Sequence, residues 1–241
     1  MSVPNKSASD KAFTRLELVV VLAVLCLLAA VTWPALAVTA ARSERATCVN
    51  NLRQIGRAYQ IWGSDHDGQR PWDVGESSGG QHPPPPLSPP GLALWYQFYF
   101  VSGDLGTPRI LACPSDNLLP QRHVADNWTM GPNGLLNLSN RNNSLSYFLS
   151  FDAPPLLPQM ALGGDRNVNY VGPQRECSTV GGLAWPMTTG VSAPMWTNAL
   201  HGVTGNLVLN DGSVLQTSTA GLRTAAANAD YNNGVNHTLS P

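Results

Sequence analysis

The residues best suited to chemistry lie in the C-terminal third of the chain. His201 stands ten positions before Asp211 in "HGVTGNLVLNDG", and Asp165 lies in the earlier stretch "GGDRN". One interpretation is a small polar or metal site in which the carboxylates of Asp211 and Asp165, with backbone carbonyls, hold calcium, an ion that prefers oxygen ligands. The other is structural: Asp211 and Gly212 serve a turn, and His201 caps or packs beside it. The spacing leaves both interpretations open, and the metal with them.

Two other patterns lack the context that their chemistry needs. Residues 75–79 read GESSG and match a G-x-S-x-G nucleophile motif, but that motif needs a strand before it and a helix after it. Residues 65–68 read DHDG and begin like a calcium loop, yet Gln69 and Arg70 follow where further oxygen ligands are needed. No nucleophile or motif of paired carboxylates is recognisable. The sequence therefore predicts no catalytic residue and no cofactor other than a structural calcium ion.

The charge balance disfavours a nucleic-acid partner. The 241 residues include 14 basic and 15 acidic side chains, for a formal net charge of -1. Nucleic-acid binding needs a basic surface, and this composition offers none. The charged fraction of 12% is about half that of ordinary soluble domains, which is typical of a globular protein tethered to a membrane.

The four cysteines differ in their surroundings. Cys26 lies in a long apolar run, where a thiol is an ordinary small apolar side chain. The spacings of Cys48, Cys113 and Cys177 match no zinc motif. A bridge from Cys48 to Cys113, a bridge from Cys113 to Cys177 and no bridge are all compatible with these spacings.

The apolar run that contains Cys26 is long enough to cross a membrane. No charged side chain occurs from Leu18 to Ala41, and a bilayer core requires about 20 apolar residues. Glu17 stands at its entrance, where a carboxylate is costly and is usually retained for function. A plain single-pass anchor, with nearby Lys and Arg kept in the cytoplasm, has no use for Glu17. A secretory signal cleaved after Ala35-Leu36-Ala37 has none either.

The stretch "AFTRLELVVVLAVLCLLAAVTWP" resembles the class III leader and N-terminal helix of type IV pilin-like proteins. The resemblance implies that a prepilin peptidase cleaves between Ala12 and Phe13 and methylates the new amine. Glu17 is then the fifth mature residue, the family's position for an acid, and Pro34 corresponds to a helix-kinking proline. The family usually has Gly where this chain has Ala12. The resemblance also implies a use for Glu17, which would pair with the Phe13 amine of a neighbouring subunit during filament assembly.

Further stretches resemble one large bacterial group of pilin-like proteins. They are "CVNNLRQIG", "CPSD", "GDRN" and the H-x9-D-G signature formed by His201, Asp211 and Gly212. Because Cys48 and Cys113 both lie in such stretches, the resemblance favours a disulfide between them. It implies a structural, non-enzymatic subunit of a type II secretion or type IV pilus-like filament. The alternative is a membrane-anchored periplasmic enzyme or ligand-binding protein that uses the region of His201 and Asp211.

The resemblance also implies partners and a location. The partners would be a prepilin peptidase, other pilin-like subunits and the bacterial inner membrane. A single span would leave the N-terminus in the cytoplasm and the globular domain in the periplasm. We expect a leader at residues 1–12, a transmembrane and assembly helix at 13–38, and a globular domain at 39–241.

Periodicity predicts the elements of the globular domain. An apolar stripe at spacings of four and three indicates a helix over 39–63 that ends near Gly63; its members are Cys48, Leu52, Ile55, Tyr59 and Trp62. Residues 64–91 are rich in Pro and Gly and favour a loop. Within 92–241, the Asn-Asp-Gly turn between two apolar segments predicts a C-terminal hairpin.

Less regular stretches of 92–241 also suggest elements. "LWYQFYFV" favours a short helix, and "SLSYFLSFDA" a strand. "RILACPSD" suggests a strand that meets a turn at Pro114, and the Gly pair of "MALGGDRNVNYV" suggests a turn between strands. The predicted fold is α+β and pilin-like: a long N-terminal helix, its first half transmembrane, packed on a small antiparallel sheet with long loops.

Overall fold

The computed structural model describes residues 14–74, 93–116, 124–151, 153–171, 175–177, 182–187, 193–228 and 236–241. The predicted leader and Phe13, and most of the predicted 64–91 loop, lie outside these residues. The chain divides into two compact units, Met1–Ser43 and Glu44–Pro241.

The helices and strands form an α+β fold, as predicted. The helices are α1 (Arg15–Asp65), α2 (Leu94–Phe100), α3 (Ser102–Leu105) and α4 (Thr219–Asn228), with short 3-10 helices at Pro108–Leu111 and Arg141–Ser144. The strands are β1 (Tyr147–Ser150), β2 (Ala161–Asp165), β3 (Val168–Asn169), β4 (Arg175–Cys177), β5 (Gly182–Met187), β6 (Met195–Trp196), β7 (Thr204–Leu209), β8 (Val214–Ser218) and β9 (Asn236–Leu239).

Within the described part of the chain, the main sheet has seven strands in the order β4-β5-β9-β1-β2-β7-β8, and every pair in it is antiparallel. Strands β3 and β6 form a separate antiparallel pair. Because β2 and β7 are neighbours in this order, Asp165 at the end of β2 lies beside the first half of β7.

The apolar stripe of α1 is buried in the second unit, which confirms the predicted core face. Cys48, Leu52, Ile55 and Tyr59 are at most 1% exposed, and the half-buried Trp62 packs against the same core. That core combines the stripe with side chains from α2, β1, β2 and β7. Since each fully buried Leu, Ile or similar side chain contributes about 1.5–3 kcal/mol, the stripe is a major source of the unit's stability.

The end of α1 differs from the prediction. Gly63 lies inside the helix, which continues to Asp65. The chain turns at Asp67 and Gly68, which both have positive φ, and the Gly68 N–H donates to the Gly63 carbonyl at 2.7 Å. This six-to-one hydrogen bond is that of a Schellman motif. Gly63 thus supplies a carbonyl to the helix cap, and the left-handed residues that end the helix are Asp67 and Gly68.

Two of the irregular stretches were also interpreted wrongly. "RIL" belongs to the 3-10 helix Pro108–Leu111, where Pro108 fixes the first φ and Thr107 accepts the Arg109 N–H. Gly163 and Gly164 lie within β2, and the chain turns after it at Arg166. A Cβ on Gly164 would lie 2.7 Å from the Asn206 carbonyl oxygen. A Cβ on Gly163 would collide with the Phe148 carbonyl oxygen. The pair therefore permits close strand packing. The predicted helix at "LWYQFYF" and strand at "YFLS" are confirmed.

The predicted C-terminal hairpin is confirmed as β7 and β8. Gly212 has φ +79°, its N–H donates to the Leu209 carbonyl, and the Leu209 N–H donates to the Ser213 carbonyl. These bonds define a three-residue loop whose last member must be left-handed, which explains the glycine.

The hairpin loop lies directly against α1 at Gly56. A Cβ on Gly56 would lie 2.6 Å from Val208 Cγ2 and 3.3 Å from the Gly212 Cα. On an open helix surface, Gly→Ala would stabilise by about 0.5–1 kcal/mol. The crossing of α1 and the hairpin reverses that preference because there is no room for a methyl group.

Gly56→Ala should therefore lower the free energy of unfolding, by about 1–3 kcal/mol as for other overpacking substitutions. Gly63→Ala is the matched control, since its Cβ would make only ordinary contacts, the nearest at 3.6 Å, and it should stabilise by up to about 1 kcal/mol. Urea unfolding of the full-length protein in detergent measures both. Equal effects of the two substitutions would show that α1 does not meet the hairpin this closely.

A candidate site at the Cys48–Cys113 disulfide

A disulfide joins α1 to the segment after the 3-10 helix Pro108–Leu111. Cys48 and Cys113 are bonded, are fully buried and have Cα atoms 5.1 Å apart. This is the pair that the resemblance favoured, and it leaves no role for a bridge from Cys113 to Cys177. Closing a loop of 65 residues restricts the unfolded chain and stabilises the folded one by about 4 kcal/mol on the chain-entropy model.

His201 lies against this disulfide. Its Nε2 is 3.5 Å from Cys113 Sγ and 3.5 Å from Asp165 Oδ2. The His201 side chain is 3% exposed and that of Asp165 is fully buried. The Thr204 hydroxyl donates to the His201 carbonyl at 2.7 Å and fixes the bend that precedes β7.

Asp165 is held on one side only. Its Oδ2 accepts the backbone N–H of Asn206 at 2.7 Å and the side-chain N–H of Asn206 at 2.8 Å. Its Oδ1 is buried and has no hydrogen-bond partner among the described residues. Burial raises the pKa of Asp165 to about 7, although the bonds from Asn206 act in the opposite direction.

The pKa of the His201 imidazole is shifted in the opposite direction. Burial, reinforced by the positive charge of Arg45, lowers the pKa of His201 to about 4, while Glu44 and Asp116 oppose the shift. Between about pH 4 and pH 7 the folded protein thus holds an uncharged imidazole beside a protonated carboxyl group.

A second buried carboxylate continues the cluster. Asp116 Oδ2 accepts the Ser146 hydroxyl at 2.7 Å, and its Oδ1 pairs with Arg166 at 2.7 Å. Ser115 donates to Glu44 at 3.1 Å, so the "CPSD" stretch also binds α1. Arg45 of α1 donates to Thr204 at 3.0 Å. The structure therefore brings "CPSD", "GDRN", His201 and the helix around Cys48 into one polar cluster.

His201 and Asp211 do not share a site. They flank β7, whose six residues span about 17 Å. Asp211 serves the hairpin loop: its Oδ1 accepts the Ser213 N–H at 2.8 Å, and its own N–H donates to the Pro158 carbonyl. Asp165 lies at the other end of the strand beside Asn206. The calcium site that combines Asp211 with Asp165 is therefore wrong, and the structural interpretation of Asp211 and Gly212 holds.

Asn210, which no sequence pattern singled out, connects the hairpin loop to its surroundings. Its side-chain amide donates to the carbonyls of Pro154 and Leu157 at 2.9 and 3.0 Å. Its Oδ1 accepts the buried guanidinium of Arg70 at 2.8 Å, and Arg70 also donates to the Tyr59 carbonyl in α1. A loop asparagine before Asp-Gly gives no indication of such distant partners.

The cluster does not have the geometry of a Cys-His-Asp catalytic triad. In a triad the nucleophile and the acid bind opposite nitrogens of the imidazole, whereas here Cys113 and Asp165 approach the same atom, Nε2. The ligand atoms of Cys48, Cys113 and His201 lie within 4.8 Å of one another, a separation suited to a metal. While the sulfurs are bonded to each other they are not thiolate ligands, and the cluster ties α1 to the sheet.

At the other end of α1, Thr14 and Glu17 form a capping box. Glu17 Oε2 accepts the Thr14 backbone N–H at 2.8 Å and the Thr14 hydroxyl at 2.9 Å, and the Glu17 N–H donates to the Thr14 hydroxyl oxygen at 3.3 Å. The T-x-x-E pattern before an apolar run is its sequence signal, although this cap was not among the predicted features. Ala12 and Phe13 lie outside the described residues.

Beyond this cap, α1 carries an exposed apolar surface. The large apolar side chains from Leu16 to Trp33, and that of Val38, are 47–79% exposed, and Cys26 is an exposed free thiol. Among the described residues, α1 is the helix long and apolar enough to cross a membrane. A secretory signal would also satisfy this criterion.

No family model, curated protein or solved structure matches this chain.

The opposed pKa shifts predict opposite pH slopes for two variants. Folded Asp165 binds an extra proton between about pH 4 and 7, so its contribution to stability falls as pH rises. Folded His201 lacks a proton that the unfolded chain holds between about pH 4 and 6.5, so its contribution rises with pH. The two nearly cancel in the wild type. His201→Gln should leave stability falling from pH 4 to 7, and Asp165→Asn should leave it rising from pH 4 to 6.5, each relative to wild type.

Denaturant unfolding of the oxidised full-length protein at several pH values measures these slopes. Arg45, Glu44 and Asp116 are unchanged in both variants, so their charges contribute equally. Slopes of the same sign in the two variants would show that the pair is not neutral in the folded protein.

Proposed function

We propose that this chain is a structural subunit, a pseudopilin or prepilin-like protein, of a type II secretion or type IV pilus-like filament. The observation that carries the proposal is the exposed, charge-free apolar surface of α1, which begins directly after a single carboxylate, Glu17. Prepilin peptidase would cleave between Ala12 and Phe13 and methylate the Phe13 amine. The chain would cross the inner membrane once, with its globular domain in the periplasm.

The exposed apolar surface supports an apolar environment for this part of α1. Soluble monomers rarely expose contiguous apolar patches larger than a few hundred Å². A bilayer would cover the surface before assembly, and the helices of other subunits would cover it in a filament. One helix can serve both states because no charged side chain interrupts it from Leu18 to Ala41.

The attachment of the rest of α1 supports a structural task. The stripe that begins at Cys48 is buried in the second unit, and the disulfide to Cys113 fixes the helix covalently. A filament subunit needs such a connection because its globular domain must follow its helix. Disulfides persist in oxidising compartments such as the periplasm, which agrees with the proposed location.

Glu17 would have one partner in the free subunit and a second in the filament. In the single chain, the capping box with Thr14 binds one oxygen of its carboxylate, Oε2. In the filament, the charge would also meet the Phe13 amine of a neighbouring subunit. Because an uncompensated charge in an apolar surrounding is costly, subunits would assemble stably only where amine and carboxylate meet.

The capping box allows the cap and the charge to be tested separately. A capping box accepts Gln as well as Glu at this position, so Glu17→Gln removes the charge and keeps the cap. Thr14→Ala removes the cap, at a cost of about 0.5–2 kcal/mol of helix stability, and keeps the charge. Glu17→Gln should retain membrane insertion and leader removal but lose crosslinking between subunits by about tenfold or more, the equivalent of 1.4 kcal/mol. Thr14→Ala should crosslink more than Glu17→Gln.

Leader removal is followed by mass spectrometry and assembly by crosslinking in intact membranes and by recovery of sheared filaments. Normal crosslinking of Glu17→Gln would contradict the proposed charge pairing. Loss of crosslinking in Thr14→Ala alone would assign Glu17 to helix capping.

A further inference from the structure

We propose that reduction of the Cys48–Cys113 disulfide converts the buried cluster into a tetrahedral zinc site with Cys48, Cys113, His201 and Asp165 as its ligands. A dithiol supplies two electrons and two protons to the S–S bond and is itself oxidised to a disulfide. Zinc then displaces the protons of the two thiols as it binds and, below about pH 7, that of the Asp165 carboxyl group as well. The inference is independent of filament assembly.

Two distances from His201 match edges of a tetrahedral zinc site. Zinc binds thiolate sulfur at about 2.3 Å, imidazole nitrogen at about 2.0–2.1 Å and carboxylate oxygen at about 2.0–2.2 Å, so a tetrahedron has an S–N edge of about 3.6 Å and an N–O edge of about 3.3 Å. The distances from His201 Nε2 are 3.5 Å to Cys113 Sγ and 3.5 Å to Asp165 Oδ2. The imidazole is thus already placed for both neighbours. Asp165 lies outside the group of Cys48, Cys113 and His201, whose ligand atoms are within 4.8 Å of one another, so a sulfur must move toward the carboxylate after reduction.

The distance between the two sulfurs is the one that does not fit a zinc site in the oxidised protein. A tetrahedral zinc site needs about 3.8 Å between two thiolates, and a covalent bond holds the sulfurs closer than that. With Cα atoms 5.1 Å apart, rotation about the side-chain torsion of one cysteine can supply this separation after reduction. The backbone positions can remain as they are, so the covalent bond acts as the switch.

Burial and ligand chemistry favour zinc over other metals. The cysteines and Asp165 are fully buried, and the His201 side chain is 3% exposed. Asp165 Oδ1 has no hydrogen-bond partner among the described residues, so the carboxylate is incompletely used in the oxidised protein. Two thiolates, an imidazole and a carboxylate form a donor set that suits zinc, whereas calcium and magnesium require oxygen ligands.

The surrounding charges fit a site with one net negative charge. Two thiolates and a carboxylate exceed the charge of Zn²⁺ by one. The positive charge of Arg45 acts on both Asp165 and His201, and it is opposed by Asp116 at both groups and by Glu44 at His201. Asp116 is itself paired with Arg166 at 2.7 Å. The Asn206 backbone and side-chain N–H groups hold Asp165 Oδ2 in place. Such partners outside the ligand shell orient the ligands and raise metal affinity.

The test uses the full-length protein in detergent, reduced with a phosphine because a dithiol would chelate zinc. After anaerobic removal of the reductant, Zn²⁺ is titrated against a chromophoric chelator. One equivalent should bind to the reduced protein, and the oxidised protein should bind at least about a hundredfold more weakly. Co²⁺ in place of Zn²⁺ should give the intense visible bands of tetrahedral cobalt and a sulfur-to-cobalt charge-transfer band.

Single substitutions identify the ligands. Loss of a partner outside the ligand shell already costs about 10–100-fold in metal affinity, so Cys113→Ser and His201→Gln should each weaken binding by at least about a hundredfold. Asp165→Asn should weaken it by about tenfold or more. Cys26→Ser is the matched control and should bind as the wild type does. Circular dichroism of the same samples reports whether each variant is folded.

Three results would overturn the proposal. One is equal zinc binding by the oxidised and reduced proteins. Another is unchanged affinity in His201→Gln, which would mean that the free thiols bind zinc without the folded cluster. The third is a reduced wild type that binds no zinc, whether or not it remains folded.

Discussion

The second unit is organised around the face of α1 that begins at Cys48. The stripe from Cys48 to Tyr59 is buried in the core, the disulfide fixes its first member, and Gly56 admits the hairpin loop to direct contact with the helix. Each of these three contacts requires α1 to be straight and to present the correct face to the core. A rotation of α1 would simultaneously move the apolar stripe out of the core, break the cluster around Asp165 and separate Gly56 from Gly212. These contacts therefore stabilise one another.

The polar cluster and the hairpin loop contact α1 at two places along its buried face. Near Cys48, buried carboxylates bind groups from several segments, as Asp116 does with Ser146 and Arg166. Near Tyr59, Arg70 connects the helix backbone to Asn210 in the hairpin loop. Buried polar groups are costly unless they are satisfied, so each contact specifies one arrangement of helix and sheet.

Local sequence patterns predicted the elements that depend on neighbouring residues. The stripe, the hairpin and the long helix follow from periodicity and turn chemistry, and they were confirmed. The errors arose where tertiary contacts determine the local structure: the Gly pair of β2 serves close strand packing rather than a turn. The separation of Asp211 from Asp165 also required strand register. No local pattern could show that His201 meets Asp165 and Cys113, residues 36 and 88 positions away.

The N-terminus of the mature chain most directly tests the claim that α1 serves first as a membrane span and then as a filament helix. Intact mass spectrometry of protein extracted from membranes determines where the chain begins and whether its amine is methylated. The proposed function predicts a chain that starts with N-methylated Phe13. A chain that starts at Val38, after a secretory signal, or an uncut chain would contradict it.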